Sequence, residues 1–126
     1  MAWRWTALLA LLLIAAACSS SKPTARPPTH REREGIVDAL PAFVRKIPTE
    51  CVQVDVRISH NSKYAFAGPE FFNAIKPSSR CARYAFGGGF FILRKTSGWK
   101  MVYEGSDPPP CSLKIPRELS GCLNLG

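Results

Sequence analysis

Five cysteines are the residues of this sequence whose type and placement most directly imply chemistry, and their positions divide them. Cys18 ends the apolar stretch LLIAAAC and is followed at once by serines, whereas Cys51, Cys81, Cys111 and Cys122 are spread through the remainder of the 126 residues. A thiol set directly behind small residues at the end of an export signal fits lipid attachment, in which the sulfur is acylated before the leader is removed. Ala16 and Ala17 satisfy the small-residue box of a bacterial lipoprotein. Ala15 departs from it, because Leu is usual there and Ile14 lies one place too early. Ala15-Ala16-Ala17 also satisfies the A-x-A rule of an ordinary signal peptidase, which would leave Cys18 as the first mature residue. The absence of a polar stretch between the apolar core and Cys18 favours the lipid.

The other four cysteines are spaced by 30, 30 and 11 residues. None stands in a C-x-x-C pair and no histidine lies beside them, so the pattern implies no zinc site. Four cysteines in an exported chain read as two disulfides formed in an oxidising compartment. Three connectivities are possible, and two of them have a structural rationale. One joins Cys51 to Cys81 and Cys111 to Cys122, the latter closing a short loop. The other joins Cys81 to Cys111, because those residues flank two strands of a hairpin, and leaves Cys51 with Cys122. The first is preferred.

Other reactive types are sparse. His60, in SHNSK, has Ser59 and Ser62 as neighbours, but a catalytic triad is defined by geometry and roles rather than by adjacency. A ribonuclease-like set of His60, Glu70 and Arg80 can be nominated, yet nothing in their order or spacing selects it. His30 sits in a proline-rich stretch and reads as solvated. Gly87, Gly88 and Gly89 lack the Gly-Lys-Ser/Thr that a phosphate loop requires, so they read as a bulge or bend in a strand. Arg80, Arg83, Arg94, Lys95 and Lys100 are interleaved with Tyr84, Phe86, Phe90, Phe91 and Trp99. Such mixing can bind single-stranded nucleic acid by stacking. Here the aromatics alternate along strands, so at least half belong to the core, and an exported chain meets little nucleic acid. The exposed part, Arg94, Lys95, Trp99 and Lys100, is retained as a candidate contact surface. No residue is assigned a catalytic role, and no metal or cofactor is expected.

These residues need elements to hold them. Residues 1–17 read as a signal peptide, with Arg4 before an apolar run of about fifteen residues, short of the roughly twenty that span a bilayer. Residues 18–31 (CSSSKPTARPPTHR) contain no large apolar side chain and read as a disordered tether. The folded domain is expected over residues 32–126. Ile36, Val37, Leu40, Phe43, Val44 and Ile47 recur on one helical face, with a kink or a fresh turn at Pro41 and an end at Pro48. CVQVDVRI alternates apolar with polar and reads as a half-buried strand. A polar loop follows, then a short helix opened by Pro69 with Phe71, Phe72 and Ile75 inward. RYAFGGGFFILRK and WKMVYEG read as a hairpin, with Gly98 taking an unusual backbone angle in its turn. SDPPP is a stiff exit loop, and CSLKIPRELSGC a short helix started by Pro116 and stopped near Gly121. The expected class is α+β: a small three-stranded, mostly antiparallel sheet packed by an N-terminal helix, with short additional helices and two disulfides.

The motifs CVQVDVRIS, KYAFA, GWKMVYEGSDPPPC and IPRELSGC together resemble small exported proteins and lipoproteins of high-GC actinobacteria. Those chains combine a signal, a proline-rich linker, a strand of alternating valines, a Tyr-Ala, a hairpin carrying Gly, Trp and Val, and a cysteine pair around an Ile/Val-Pro segment. Tyr64 and Ala65 supply the Tyr-Ala, and Ile58 stands where Val is more usual. The resemblance implies a location and an architecture but no catalytic residue.

Charge adds a direction. The full chain has 17 Lys and Arg against 9 acids, and with only Arg4 lying before Cys18 the remainder is near +7. Such a surface favours anionic surroundings, such as lipid head groups or envelope polymers. The expected function is that of an exported, lipid-anchored envelope domain, at the outer face of the cytoplasmic membrane or secreted, with a binding or structural role. The alternative is an inhibitor of an exported protease or lysozyme, inserting the loop 59–69 or SDPPP; a small hydrolase using His60 ranks below both.

Overall fold

The structure, a computed structural model, describes residues 21–71, 80–84 and 89–124. The expected signal peptide, Cys18, Phe72, Ile75, Phe86, Gly87 and Gly88 lie outside these residues. The order of elements is α1 (His30–Asp38), α2 (Ala42–Arg45), β1 (Val52–Ile58), β2 (Tyr64–Phe71), β3 (Phe90–Lys95) and β4 (Trp99–Gly105), with single 3₁₀ turns at Ala82–Tyr84 and Cys111–Leu113. The class is α+β, with a sheet of four antiparallel strands in the order β1-β2-β3-β4.

The fourth strand is β2, where the sequence suggests a loop and a helix opened by Pro69. The residues 64–67 alternate Tyr, Ala, Phe, Ala, and both alanines are fully buried. Pro69 is tolerated for a definable reason. It pairs with Val54, whose carbonyl accepts a hydrogen bond from Arg33 off the outer edge of β1 (2.8 Å). The Val54–Pro69 pair is thus one that exchanges no ladder bonds, and the missing N–H of Pro69 faces the β3 side. Pairing with β3 has already ended there, at Ala67–Phe91. Proline is accommodated on such an unpaired margin and not within a full ladder.

Pro41 starts a fresh turn. It occupies the N-cap position of α2, and the Val44 and Arg45 amides both donate to its carbonyl. The apolar face of α1 and α2 delivers Ile36, Leu40 and Val44 onto one side of the sheet, where Val54, Val56, Ile58, Ala65, Ala67, Phe91 and Leu93 meet them. These strand residues follow the two-residue period of a pleated strand. Ile92, Pro109 and Leu119 are buried outside this cluster.

Further expectations are corrected. The domain begins earlier than residue 32: α1 starts at His30 behind the capping Thr29, and the Arg26 backbone pairs with Ile58 (N···O 2.9 and 2.8 Å). A capping residue and an edge-strand partner satisfy backbone groups regardless of how polar the segment is. The hairpin β3–β4 forms as expected, but Gly98 does not adopt a left-handed angle; the turn closes through the Thr96 amide to the Gly98 carbonyl (2.8 Å). Among the described residues, those with left-handed backbone are Ser62 and Lys114. The expected helix at 116–121 is a single turn, in which the Leu119 amide donates to the Pro116 carbonyl (3.0 Å). Lys114, at φ 52°, turns the chain out of helical geometry just before it.

The disulfides are Cys51–Cys81 and Cys111–Cys122. The first ties the start of β1 to the chain before β3. The second closes a loop further held by the backbone pairing of Pro110 with Leu123.

Candidate functional site

At the β1–β2 turn, Ser59 is fully buried, and its hydroxyl donates to the Asn61 side-chain oxygen (2.6 Å) and accepts from the Tyr64 amide (3.0 Å). Ser59 is thereby committed to turn geometry. Ser62 accepts from Arg26 (2.9 Å), and His60 is exposed. Glu70 pairs with Gln53 at the opposite end of β2, five residues from the Ile58–Ala65 pair. At the ordinary rise of a strand this places it about 17 Å from the turn. Arg80 makes an ion pair with Glu50 (3.1 Å). The structure therefore does not assemble His60, Glu70 and Arg80.

The hairpin cations are divided between two surfaces. Arg94 lies opposite Lys100, on the side facing away from the helices, and Lys95 lies opposite Trp99. Trp99 packs against the core cluster beneath α1; a Cβ on Gly35 would come within 3.2 Å of its ring. Lys95 reaches over that ring, with Nζ 5.9 Å from the centroid. Arg94, Lys95 and Lys100 are exposed, but the four residues do not share one face. Like charges opposite each other, as at Arg94 and Lys100, oppose pairing by a few tenths of a kcal/mol and are eased by an anionic partner.

The outer sheet face carries an aromatic stripe that the sequence reading did not single out. Phe66 stacks on Phe90 (5.3 Å), Phe90 meets Tyr103 (5.7 Å), and the Arg57 guanidinium lies 4.2 Å from the Phe66 centroid. Arg57 Nε has no hydrogen-bond partner, although the Asp55 carboxylate is 3.5 Å away. A shallow depression of about 230 Å³ lies beside these residues.

A larger cavity of about 530 Å³ opens between α1, α2 and β1. Its apolar wall is Val37, Val44, Ile47, Val52 and Val54, and its charged residues are Arg33 and Arg45. Its volume falls within the roughly 300–1,000 Å³ of small-molecule sites, which combine apolar walls with a few placed polar groups. The helical period that marked Val37, Val44 and Ile47 as core could have flagged it, since Val37 on that apolar face stays only half-buried.

At the start of α1, Arg26 donates to both carboxylate oxygens of Glu32 (2.9 and 2.9 Å). Glu32 also accepts from the Thr29 amide (3.0 Å) in the capping box of α1. The Arg26 hydrogen bonds, aided by Thr29 and opposed by partial burial, hold the Glu32 carboxyl down at about 2 from its ordinary 4.5.

Among the described residues no group of three or more His, Cys, Asp or Glu is placed to hold a metal ion, and no helix is long and apolar enough to cross a membrane. Two disulfides fit an oxidising environment. Compared with family models, curated proteins and solved structures, the chain matches none.

Proposed function

We propose that this protein is an exported envelope domain, anchored by a lipid on Cys18 at the outer face of the cytoplasmic membrane, and that it works by binding rather than by catalysis. The observation that carries this reading is the cysteine pairing. The four domain cysteines join one another, so Cys18 stands outside both disulfides, at the end of an apolar run and ahead of serines. An odd cysteine in an exported chain requires its own chemistry, and acylation supplies it. The basic surface supports the same reading, because it draws the domain toward anionic lipids and envelope polymers.

The inserts considered for a hydrolase inhibitor are smaller than the sequence implies. The 59–69 segment is a tight turn followed by β2, and in SDPPP Pro109 is buried while Pro110 is tied to Leu123. The binding reading rests instead on the cavity and the charged faces.

The test is processing in a bacterial host. Blocking the lipoprotein signal peptidase with globomycin should accumulate an uncleaved precursor, and the intact mass of the membrane-extracted product should show acyl chains together with two disulfides. Normal processing under the drug, or a mature mass without lipid, would overturn the anchor.

A further inference from the structure

We propose that the cavity between α1, α2 and β1 binds a single-chain amphiphile with a carboxylate head, the chemistry of a fatty acid. This deepens the binding role proposed above and rests on it, but not on the lipid at Cys18.

Three observations converge. The first is the contrast within the lining: five aliphatic side chains form the wall, and no acidic residue lines the cavity. Val44, Ile47 and Val54 are already buried, and it is the half-exposed surface of Val37 and Val52 that gains free energy from an alkyl tail, at about 25 cal/mol for each Å² removed from water.

The second is the state of the two arginines. Arg33 donates one hydrogen bond to the Val54 carbonyl (2.8 Å), and Arg45 donates one from Nε to the Leu40 carbonyl (2.9 Å). Each guanidinium is thus fixed by backbone and keeps most of its donors. Among the described residues neither forms an ion pair, although Arg26, Arg57 and Arg80 all do. A fixed, un-neutralised guanidinium fork is suited to a carboxylate, which it can engage through two parallel hydrogen bonds.

The third observation decides against an extended peptide. Strand addition at β1 would need its row of outward backbone groups. Arg33 already occupies the Val54 carbonyl, and the Arg26 backbone takes both groups of Ile58. The edge is blocked at both places, while the cavity beside it stays open. A ligand that asks for no backbone ladder fits this arrangement.

The experiment uses the full chain carrying Cys18→Ser, so that the anchor and the cavity are tested separately. Laurate, dodecanol and dodecylammonium are titrated by calorimetry below their micelle concentrations. Laurate should bind saturably and at least about tenfold more tightly than dodecanol, with dodecylammonium weaker still; about tenfold is the effect of one well-placed charge contact. Arg45→Glu should weaken laurate by about tenfold or more and should raise dodecylammonium affinity. That gain cannot arise from misfolding. Thr49→Glu, which places an acid on the exposed lining without touching either arginine, should also weaken laurate. Equal binding of laurate and dodecanol would overturn the proposal. So would laurate affinity unchanged by both substitutions, or binding of an extended acidic peptide where laurate does not bind.

Discussion

Arg26 joins three parts of the chain: its guanidinium holds Glu32 of α1 and Ser62 of the β1–β2 turn, and its backbone pairs with the end of β1. A residue in a Ser- and Pro-rich stretch thereby seals one corner of the domain. Because the Glu32 carboxyl titrates at about 2 when folded, below its ordinary 4.5, the pair contributes stability that is complete above about 4.5 and is lost as pH falls through 2. Glu32→Gln should cost about 1–2 kcal/mol at neutral pH, the range of a partly exposed charge-assisted hydrogen bond. It should also flatten the decline in stability between about pH 5 and 2. Urea unfolding across that range measures both effects. An acid decline of the same size in Glu32→Gln would assign the pH dependence to other carboxylates.

At the scale of elements, β2 is the strand on which the architecture turns. Its Ala65 and Ala67 are small, and α1 packs directly across it. Large side chains at these positions would lift the helix off the sheet. Ala67→Leu should therefore destabilise by about 1–3 kcal/mol through overpacking. Ala42→Leu, at an exposed position of α2, should stay within about 0.5 kcal/mol. Denaturant midpoints for the two variants test the contrast. The sheet also manages both edges: β1 is covered in part by Arg26 and Arg33, and β4 carries a register shift opposite Ile92 and Leu93 together with the exposed Lys100. Bulges and charges of this kind discourage edge-to-edge association. β2 was hard to read because Gly68 and Pro69 carry the signature of a helix start. What made Pro69 acceptable was the length of β3, a property of a distant segment.

For the whole molecule, the core is small and the covalent links matter in proportion. The two disulfides span 30 and 11 residues. By loop-closure entropy, removing Cys51–Cys81 should cost about 3.6 kcal/mol and removing Cys111–Cys122 about 2.8 kcal/mol. Paired serine substitutions, compared by urea unfolding, should show the longer link to be the costlier. The reverse order would mean that local anchoring around Pro109 and Pro110 outweighs chain entropy. The same economy explains the cavity, since two short helices cannot cover the whole inner face of a four-stranded sheet. The margin left open beside β1 is lined by valines and two arginines.

The sequence alone determined what depends on local pattern: the alternating β1, the β3–β4 hairpin, the apolar face of α1 and α2, and a cysteine set in which Cys18 stands apart. Each is written in neighbouring side chains, whose periods of two or 3.6 residues act over a few positions. The preferred disulfide pairing was legible too, but only as one of the three connectivities that four cysteines allow. Tertiary structure decided the rest. It made a strand of YAFAGPEF, drew Arg26 into the domain, split Arg94 and Lys100 from Lys95 and Trp99, and set Arg33 and Arg45 on one cavity. Those outcomes depend on which segments lie beside each other and where a partner strand ends, and non-local pairing of that kind has no signature in any single stretch of residues.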